Sequence, residues 1–278
     1  MQVIEHIAQM TALMEQGEIC RPIGFVPTMG YLHQGHLSLV HRARQECRTV
    51  VVSIFVNPTQ FGVNEDFDSY PRDLSRDLEM LEPMGVDIVF CPPVREMYPD
   101  GYQTFVDVEQ LAQILCGARR PGHFRGVTTV VLKLVNIVKA DLMYMGEKDF
   151  QQCVVLETML RELNQACRII RCPIVREADG LAMSSRNVYL SPEDRQKASC
   201  LHQAIQLAQR LCRDGKDKAD EVIPVLTELI LSRGGQIDYI AIVDHVSLQP
   251  VDVVDTRSRL LLAVRFGKTR LIDNGAIA

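Results

Sequence analysis

Hydrophobic positions in the first 175 residues form short apolar runs that alternate with amphipathic stretches. The apolar runs predict buried strands at residues 23–26, 49–56, 86–90, 141–145 and 168–175. The stretches between them predict helices, among them residues 37–47, 71–81 and 127–138, after an opening helix at residues 3–16. Because strands and helices alternate, the pattern favours an α/β fold: a Rossmann-like, doubly wound parallel sheet.

The pattern changes after residue 175. Ser191 and Pro192 are typical of a helix start, and a long helix is expected from there to about residue 212. A further helix is predicted at residues 219–232. Alternating runs then suit a small antiparallel sheet, at residues 237–243, 259–265 and 269–272. We therefore predict two domains, residues 1–175 and a smaller C-terminal α+β domain of residues 176–278.

Composition and charge narrow the class of protein. Apolar residues make up 47% of the 278 residues and charged residues 23%, which is ordinary for a globular chain. The formal net charge of −5 argues against a broad nucleic-acid-binding surface. No apolar run reaches the roughly 18 to 20 residues that span a bilayer, and no signal peptide is expected at the N-terminus. Nine cysteines without Cys-x-x-Cys spacing indicate reduced thiols in a cytoplasmic protein.

The loop after the first predicted strand carries the strongest candidate chemistry. Pro27 is expected to end the strand because it has no amide hydrogen, and Gly30 and Gly35 let the backbone turn or approach a ligand. The start of the next helix is expected to present unpaired amide hydrogens that suit a phosphate. His33 and His36 would share one face of a helical turn and donate hydrogen bonds to phosphate oxygens. Taken alone, the pair also fits a surface feature or half of a zinc site.

Four more loops carry polar clusters between predicted elements. Ligands of open α/β sheets bind at the carboxyl ends of the strands, where residues 57–62, 146–152 and 176–187 are expected to lie. The basic loop at residues 119–126 has two interpretations, a solvated surface loop or a loop facing an anionic substrate. Each loop is a weak signal by itself, and their combination is specific.

The combined segments resemble the pantothenate synthetase (pantoate–β-alanine ligase) family, over nearly the whole chain. The superfamily around that family includes class I aminoacyl-tRNA synthetases and has two ATP-holding motifs, written HIGH and KMSKS. The resembling segments are residues 27–36, 56–61, 123–127, 146–149 with Gln152, 183–187 and 270–274. Arg186 stands where the superfamily usually has its second lysine, which fits the narrower family and weakens the tRNA synthetase hypothesis.

The resemblance implies a two-step ligase reaction. Pantoate and ATP would form pantoyl adenylate and pyrophosphate, and β-alanine would then displace AMP to give pantothenate, on the route to coenzyme A. ATP would be a substrate accompanied by Mg²⁺, with no tightly bound organic cofactor. The other partners would be pantoate and β-alanine, with no nucleic acid or membrane, in a cytoplasmic homodimer. Apart from the resemblance, the linker position of residues 183–186 favours the hypothesis that the C-terminal domain closes as a lid and brings them onto the phosphates.

The resemblance also implies roles for individual residues. The catalytic residues would be His33, His36, Lys148 and Arg186. ATP would be bound by Met29, Gly30, Tyr31, Leu32, His33, Gln34, Gly35, His36, Gly146, Glu147, Lys148, Asp149, Val175, Met183, Ser184, Ser185 and Arg186. Pantoate and β-alanine would be bound by Gln60, Gln152, Asn57 and His123. From residue chemistry rather than from the resemblance, Asp77 and Asp149 are possible carboxylate neighbours of magnesium bound to the phosphates, and Asp77 is the candidate metal residue.

Rival hypotheses remain at this stage. A tRNA synthetase would need an anticodon-binding module and a basic surface, which the sequence lacks. Another nucleotidyltransferase of the same superfamily, or a non-catalytic nucleotide-binding protein, would share the phosphate-binding loops. A zinc hydrolase built on His33 and His36 lacks a third ligand at motif spacing.

Overall fold

The computed structural model describes residues 1–17, 19–62 and 65–278. The strands within these ranges are β1 Gln2–Ile4, β2 Ile23–Thr28, β3 Thr49–Ile54, β4 Ile88–Phe90, β5 Leu142–Gly146, β6 Arg168–Cys172, β7 Gln236–Asp244, β8 Ser258–Phe266 and β9 Thr269–Ala276. The α-helices are α1 Ile7–Glu15, α2 Gln34–Glu46, α3 Leu74–Leu81, α4 Val94–Met97, α5 Cys116–Arg119, α6 His123–Val138, α7 Phe150–Glu162, α8 Pro192–Ala198, α9 Cys200–Arg213 and α10 Ala219–Ser232.

Six parallel strands form the larger sheet, in the order β1-β4-β3-β2-β5-β6, which confirms the predicted fold class. Successive side chains of a strand point to opposite faces. Val51 accordingly packs into one apolar layer, and Val50 and Val52 pack into the other. The direction of winding reverses between β2 and β5, and the crevice at such a reversal is where open α/β sheets bind ligands.

The N-terminal prediction was wrong at its first residues. Val3 and Ile4 belong to the edge strand β1, which pairs in parallel with β4, and the helix begins only at Ile7. Ile4 is fully buried, and its carbonyl accepts the amide hydrogen of Cys91 (2.8 Å). An apolar pair can be buried by either a helix or an edge strand, so periodicity over so few residues does not separate the two.

Pro27 does not end its strand, contrary to the prediction. β2 continues to Thr28, in register with β3. The Thr28 carbonyl accepts the amide hydrogen of Phe55 (3.0 Å), so Thr28 directs its backbone toward β3 and Pro27 faces the β5 side. The described pairing of β2 with β5 covers only Gly24 and Phe25, so the missing amide hydrogen of Pro27 interrupts no pairing.

The C-terminal part contains a three-stranded antiparallel sheet, β7-β8-β9, as predicted. Alternate side chains of β8, including Leu260 and Leu262, pack with Ile205 of α9 and Leu226 of α10 into one apolar cluster. The single long helix predicted after Ser191 is instead two helices, α8 and α9, which meet at Ser199.

Internal contacts divide the chain into two compact units. The first unit is Met1–Glu147 with Gln152–Pro173, and the second is Lys148–Gln151 with Ile174–Ala278. The domain boundary near residue 175 stays a prediction, because a division by contacts does not test independent folding. Among the described residues, no helix is long and apolar enough to cross a membrane.

We expect Leu262→Ala to lower the free energy of unfolding by about 2–5 kcal/mol, because it leaves a cavity at a side chain that is 1% exposed. Urea denaturation followed by circular dichroism measures the change. Leu262→Met is the control, since a volume-conserving exchange commonly costs less than about 1.5 kcal/mol. Equal losses in the two variants would contradict the packing described here.

Candidate functional site

The two histidines of the first loop cap the helix that follows them. His33 is the N-cap residue of α2, and its Nδ1 accepts the amide hydrogen of Gly35 (3.1 Å). The amide of His33 donates in turn to Nδ1 of His36 (3.3 Å). The two rings lie 4.0 Å apart between centroids, tilted by 32°. This reciprocal cap fixes both imidazoles at the start of the helix.

The cap changes the predicted chemistry of this helix end. The amide hydrogens of Gly35 and His36 are not unpaired, since they are bound by His33 Nδ1 and by the His33 carbonyl (2.8 Å). Because both Nδ1 atoms accept hydrogen bonds, the neutral imidazoles carry their hydrogen on Nε2. Two of the amides predicted to be unpaired are therefore occupied, and the Nε2–H groups are the ring donors suited to a phosphate.

The turn before the cap is held by a buried carboxylate. Gly30 and Tyr31 both have positive φ, +79° and +50°. Asp77, from α3, accepts the amide hydrogens of Tyr31 and Leu32 through its two different oxygens, each at 2.7 Å. A Cβ at Gly30 would lie 2.9 Å from Asp77 Oδ2 and 3.0 Å from Ile54 Cγ2, so only glycine fits there.

Asp77 is 1% exposed. Burial raises the pKa of its carboxyl group, and the amide hydrogen bonds from Leu32 and Tyr31 act in the opposite direction. Arg76 lies 3.8 Å from Asp77 Oδ1 and its guanidinium stands 5.0 Å from the Tyr31 ring centroid. Both carboxylate oxygens are thus engaged by the turn, and this geometry gives the predicted magnesium role of Asp77 no support. No group of three or more potential metal-ligating side chains occurs among the described residues.

The loop after β3 places Gln60 beside Met29. Asn57 is buried and donates both amide hydrogens, to Gln60 Oε1 and to the Gly126 carbonyl, each at 3.1 Å. Its Oδ1 accepts hydrogen bonds from the Tyr98 hydroxyl (2.8 Å) and from the Thr59 hydroxyl (3.0 Å) and amide (3.4 Å). Gln60 Nε2 lies 3.1 Å from Met29 Sδ. The loops of two neighbouring parallel strands therefore meet, as predicted for this rim.

His123 reaches the same loop from the start of α6. Its Nδ1 lies 2.8 Å from the Gln60 carbonyl, which only accepts, so the ring hydrogen is on Nδ1. The other ring nitrogen, Nε2, accepts from Arg120 (3.0 Å). Arg120 also forms a bidentate ion pair with Glu65. His123 thus holds the Gln60 backbone. Gly126 allows α6 to approach the Thr59–Gln60 backbone, because a Cβ at Gly126 would lie 2.3 Å from the Thr59 carbonyl oxygen.

The basic loop is partly solvated, with Arg119 and Arg125 exposed, and that it faces an anionic substrate stays a prediction. Arg120 faces Glu65, so it is neither free in solvent nor a bare anion receptor. Burial opposes ionisation of Glu65, but the Arg120 guanidinium outweighs it and holds the pKa of Glu65 below its usual range. Sequence reasoning missed Glu65 as a functional support, and it also missed Tyr98. No local signal identifies either residue, because their partners lie 55 and 41 positions away.

Lys148 lies in a single 3₁₀ turn, Glu147–Asp149, between β5 and α7. Its Nζ is 3.5 Å from Asp149 Oδ2, and its side chain is half-buried. The segment Lys148–Gln151 belongs to the second unit, whereas Gly146, Glu147 and Gln152 belong to the first.

Residues 183–187 form the other predicted phosphate segment, and they belong to the second unit. The Met183 amide donates to the Val175 carbonyl (3.0 Å). Ser184 caps the 3₁₀ turn Ser185–Tyr189, where its hydroxyl accepts the amide hydrogen of Arg186 (3.3 Å). Asn187 is buried and donates to Glu177 Oε1 (2.8 Å). The Ser184 hydroxyl therefore has a structural task beside any contact with ATP.

The described contacts bring the predicted residues together in two sets. In the first unit, the His33–His36 pair adjoins the Asp77-held turn, and Met29, Asn57, Gln60 and His123 form one cluster. In the second unit lie Lys148, Asp149, Val175, Met183, Ser184, Ser185 and Arg186. That the two sets act on one substrate stays a prediction.

Comparison with known proteins gives consistent matches. The family model described as pantoate-beta-alanine ligase matches residues 2–276. Pantothenate synthetase of Heliobacterium modesticaldum is 56% identical over 276 residues, covering 99% of this chain and 98% of the relative. A crystal structure of pantothenate synthetase from Thermus thermophilus has a TM-score of 0.95 at 45% identity, covering 100% of this chain and 99% of that one. Pantoate-beta-alanine ligase from Francisella tularensis, complexed with beta-gamma ATP and beta-alanine, has a TM-score of 0.83 at 38% identity, with coverages of 99% and 97%.

We expect Asp77→Asn to destabilise the protein by about 1–3 kcal/mol, because the new amide group would face a buried backbone N–H and leave it unsatisfied. Guanidinium denaturation provides the measurement. Glu79→Gln is the matched control, since it makes the equivalent change at an exposed position of the same helix and should cost less than about 0.5 kcal/mol. Equal costs in the two variants would show that the turn does not depend on Asp77.

Proposed function

This chain belongs to the pantoate–β-alanine ligase family and is an enzyme that joins pantoate to β-alanine with ATP, and we propose that its reaction passes through a pantoyl adenylate. The observation that carries this proposal is the capped histidine pair, which fixes two neutral imidazoles at the start of the helix that follows β2. Family membership sets aside the tRNA synthetase, zinc hydrolase and non-catalytic hypotheses.

In the first step the pantoate carboxylate attacks the α-phosphorus of ATP. Two anions must approach each other, so hydrogen-bond donors and cations held in advance are required. His33 and His36 supply neutral donors whose orientation is fixed by the cap. Lys148 and Arg186 supply charge for the phosphates and the departing pyrophosphate. Remaining contacts to ATP would come from the Met29–Leu32 turn and from Ser184 and Ser185.

Pantoate would be bound by the amides of Gln60 and Gln152. The Gln60 amide can recognise a carboxylate through Nε2 and a hydroxyl through either atom. Asn57 and His123 act on Gln60, through its side chain and its backbone respectively, so we assign them positioning roles rather than direct binding. The bound ligands of the Francisella tularensis relative, beta-gamma ATP and beta-alanine, support ATP and β-alanine as substrates here.

In the second step the neutral amine of β-alanine attacks the acyl carbon, the carbon–nitrogen bond forms and AMP leaves. AMP is a good leaving group, so positioning of the amine supplies much of the rate. Magnesium would come with ATP, since it prefers phosphate oxygens and water to protein carboxylates. The proposal includes a homodimer in the cytoplasm and closure of residues 176–278 over the phosphates, which would protect the adenylate from water.

We expect ATP–pyrophosphate exchange to require pantoate but not β-alanine, because the adenylate forms before the amine enters. His36→Ala and Lys148→Ala should each lower the exchange rate by about 10²–10³, the usual cost of one preorganised donor. Radiolabelled pyrophosphate incorporated into ATP is the measurement. Exchange that is independent of pantoate would contradict the adenylate, and near-normal exchange in both variants would contradict the residue assignments.

We expect Gln60→Leu to raise the KM for pantoate by at least about tenfold and to leave the KM for ATP nearly unchanged, because it removes the amide assigned to pantoate and none of the charged or imidazole side chains assigned to ATP. Steady-state kinetics with each substrate varied in turn gives both constants. Gln45→Leu, at an exposed position of α2, is the matched control. Parallel loss of both affinities would mean that Gln60 supports the loop rather than recognising pantoate.

A further inference from the structure

We propose that Asp273 and Asn274 are positioning residues, which together hold the two second-unit segments that carry Lys148 and Arg186. The inference rests on the proposed function, since it concerns groups placed on the phosphates of ATP. Both residues are on β9, both are 2% exposed, and neither has a part in the reaction described above.

Asn274 holds the backbone of Lys148. Its Nδ2 donates to the Lys148 carbonyl (2.9 Å), and its Oδ1 accepts from Nε of Arg259 (2.7 Å). A carbonyl can only accept and a guanidinium can only donate, so the two partners determine which end of the amide is which. Both ends of the Asn274 side chain are therefore used, and the position of Lys148 is tied to strand β9.

Arg259 adds a second point of support for the same segment. Its guanidinium carbon lies 4.0 Å from the centroid of the Phe150 ring, and Phe150 follows Lys148 by two residues. Phe150 is 1% exposed. The contact helps to hold the short segment Lys148–Gln151 within the second unit, whereas β5 up to Glu147 and α7 from Gln152 onward belong to the first.

Asp273 holds the segment that leads to Arg186. Its carboxylate accepts from Arg176 through both oxygens, at 2.7 and 2.9 Å, and Asp273 Oδ1 also accepts the amide hydrogen of Asn274 (2.8 Å). Arg176 donates further to the Gly180 carbonyl (3.0 Å) and forms an antiparallel bridge with Ala182. The hairpin at residues 176–182 ends one residue before Met183, so Asp273 fixes the start of the phosphate segment.

One strand thus serves two segments that are far apart in sequence. Successive side chains of a strand leave it in different directions, so adjacent residues can hold separate segments. A displacement of about 1 Å at a reacting group can lower a rate by about 10². The register of β9 therefore sets the spacing between the Lys148 and Arg186 segments.

The decisive variant is Asn274→Asp, which keeps the shape and the acceptor for Arg259 but places an oxygen against the Lys148 carbonyl. We expect kcat for pantoate-dependent pyrophosphate release to fall by about 10- to 100-fold, with the KM for pantoate within about threefold of wild type. Leu271→Ala is the matched control, because it removes core packing on the same strand and none of these hydrogen bonds. It should lower the thermal midpoint at least as much and keep kcat within about threefold.

Arg259→Lys keeps the charge at a half-buried position and cannot reproduce the Nε contact, so it tests the proposal even if Asn274→Asp fails to fold. We expect a smaller fall in kcat, of about 3- to 10-fold, with the same unchanged KM for pantoate. Wild-type kcat in a folded Asn274→Asp protein, or in Arg259→Lys, would overturn the proposal. So would an equal fall in Leu271→Ala.

Wild type and Lys148→Ala separate this inference from the proposed function. Absence of pantoate-dependent pyrophosphate release in the wild type would refute the function itself. An active wild type, an inactive Lys148→Ala and a fully active Asn274→Asp would overturn the positioning role alone.

Discussion

Side-chain capture of backbone amides is the interaction on which this molecule depends. Asp77 binds the amides of Tyr31 and Leu32, and His33 and His36 bind those that follow. Each bond satisfies a donor that a turn or a helix start would otherwise leave without a partner inside the protein. The consequence is a loop of about one helical turn whose backbone is fixed before any ligand arrives, which is the condition for preorganised electrostatic catalysis.

A related device, in which side-chain donors bind backbone carbonyls, recurs at the other loops predicted to be functional. His123 holds the carbonyl of Gln60, Asn57 holds that of Gly126, and Asn274 holds that of Lys148. In each case the donor residue is not itself proposed to contact a substrate. It fixes the main chain of a residue that is proposed to do so, Gln60 or Lys148, or of Gly126, which packs beside the Gln60 loop. The side chains proposed to act on the substrates are thus supported by polar groups from elsewhere in the same unit.

The sequence predicts the sheet and the chemistry better than it predicts these supports. Apolar runs such as residues 49–56 specify buried parallel strands because every side chain must be covered, and that constraint is local. The signature loops could be recognised because several segments together resemble a known family, although each one alone is a weak signal. The partnership of Asp77 with the 30–32 turn could not, since a buried carboxylate bound to distant amides leaves no periodic trace. The prediction that Pro27 ends its strand was wrong for a related reason. The missing amide hydrogen of Pro27 would matter only if the pairing with β5 reached that position, and the sequence around Pro27 does not show where that pairing ends.

Gly126 has a consequence for the evolution and redesign of specificity. The backbone of α6 lies against the Thr59 carbonyl so closely that no side chain of any size fits between them. This contact is made of main chain on both sides, so a substitution at Gly126 cannot be accommodated without moving the helix. Under the proposed assignment of Gln60 to pantoate, a change of acid specificity at this loop would therefore come from the Gln60 side chain rather than from the main chain that packs against Gly126.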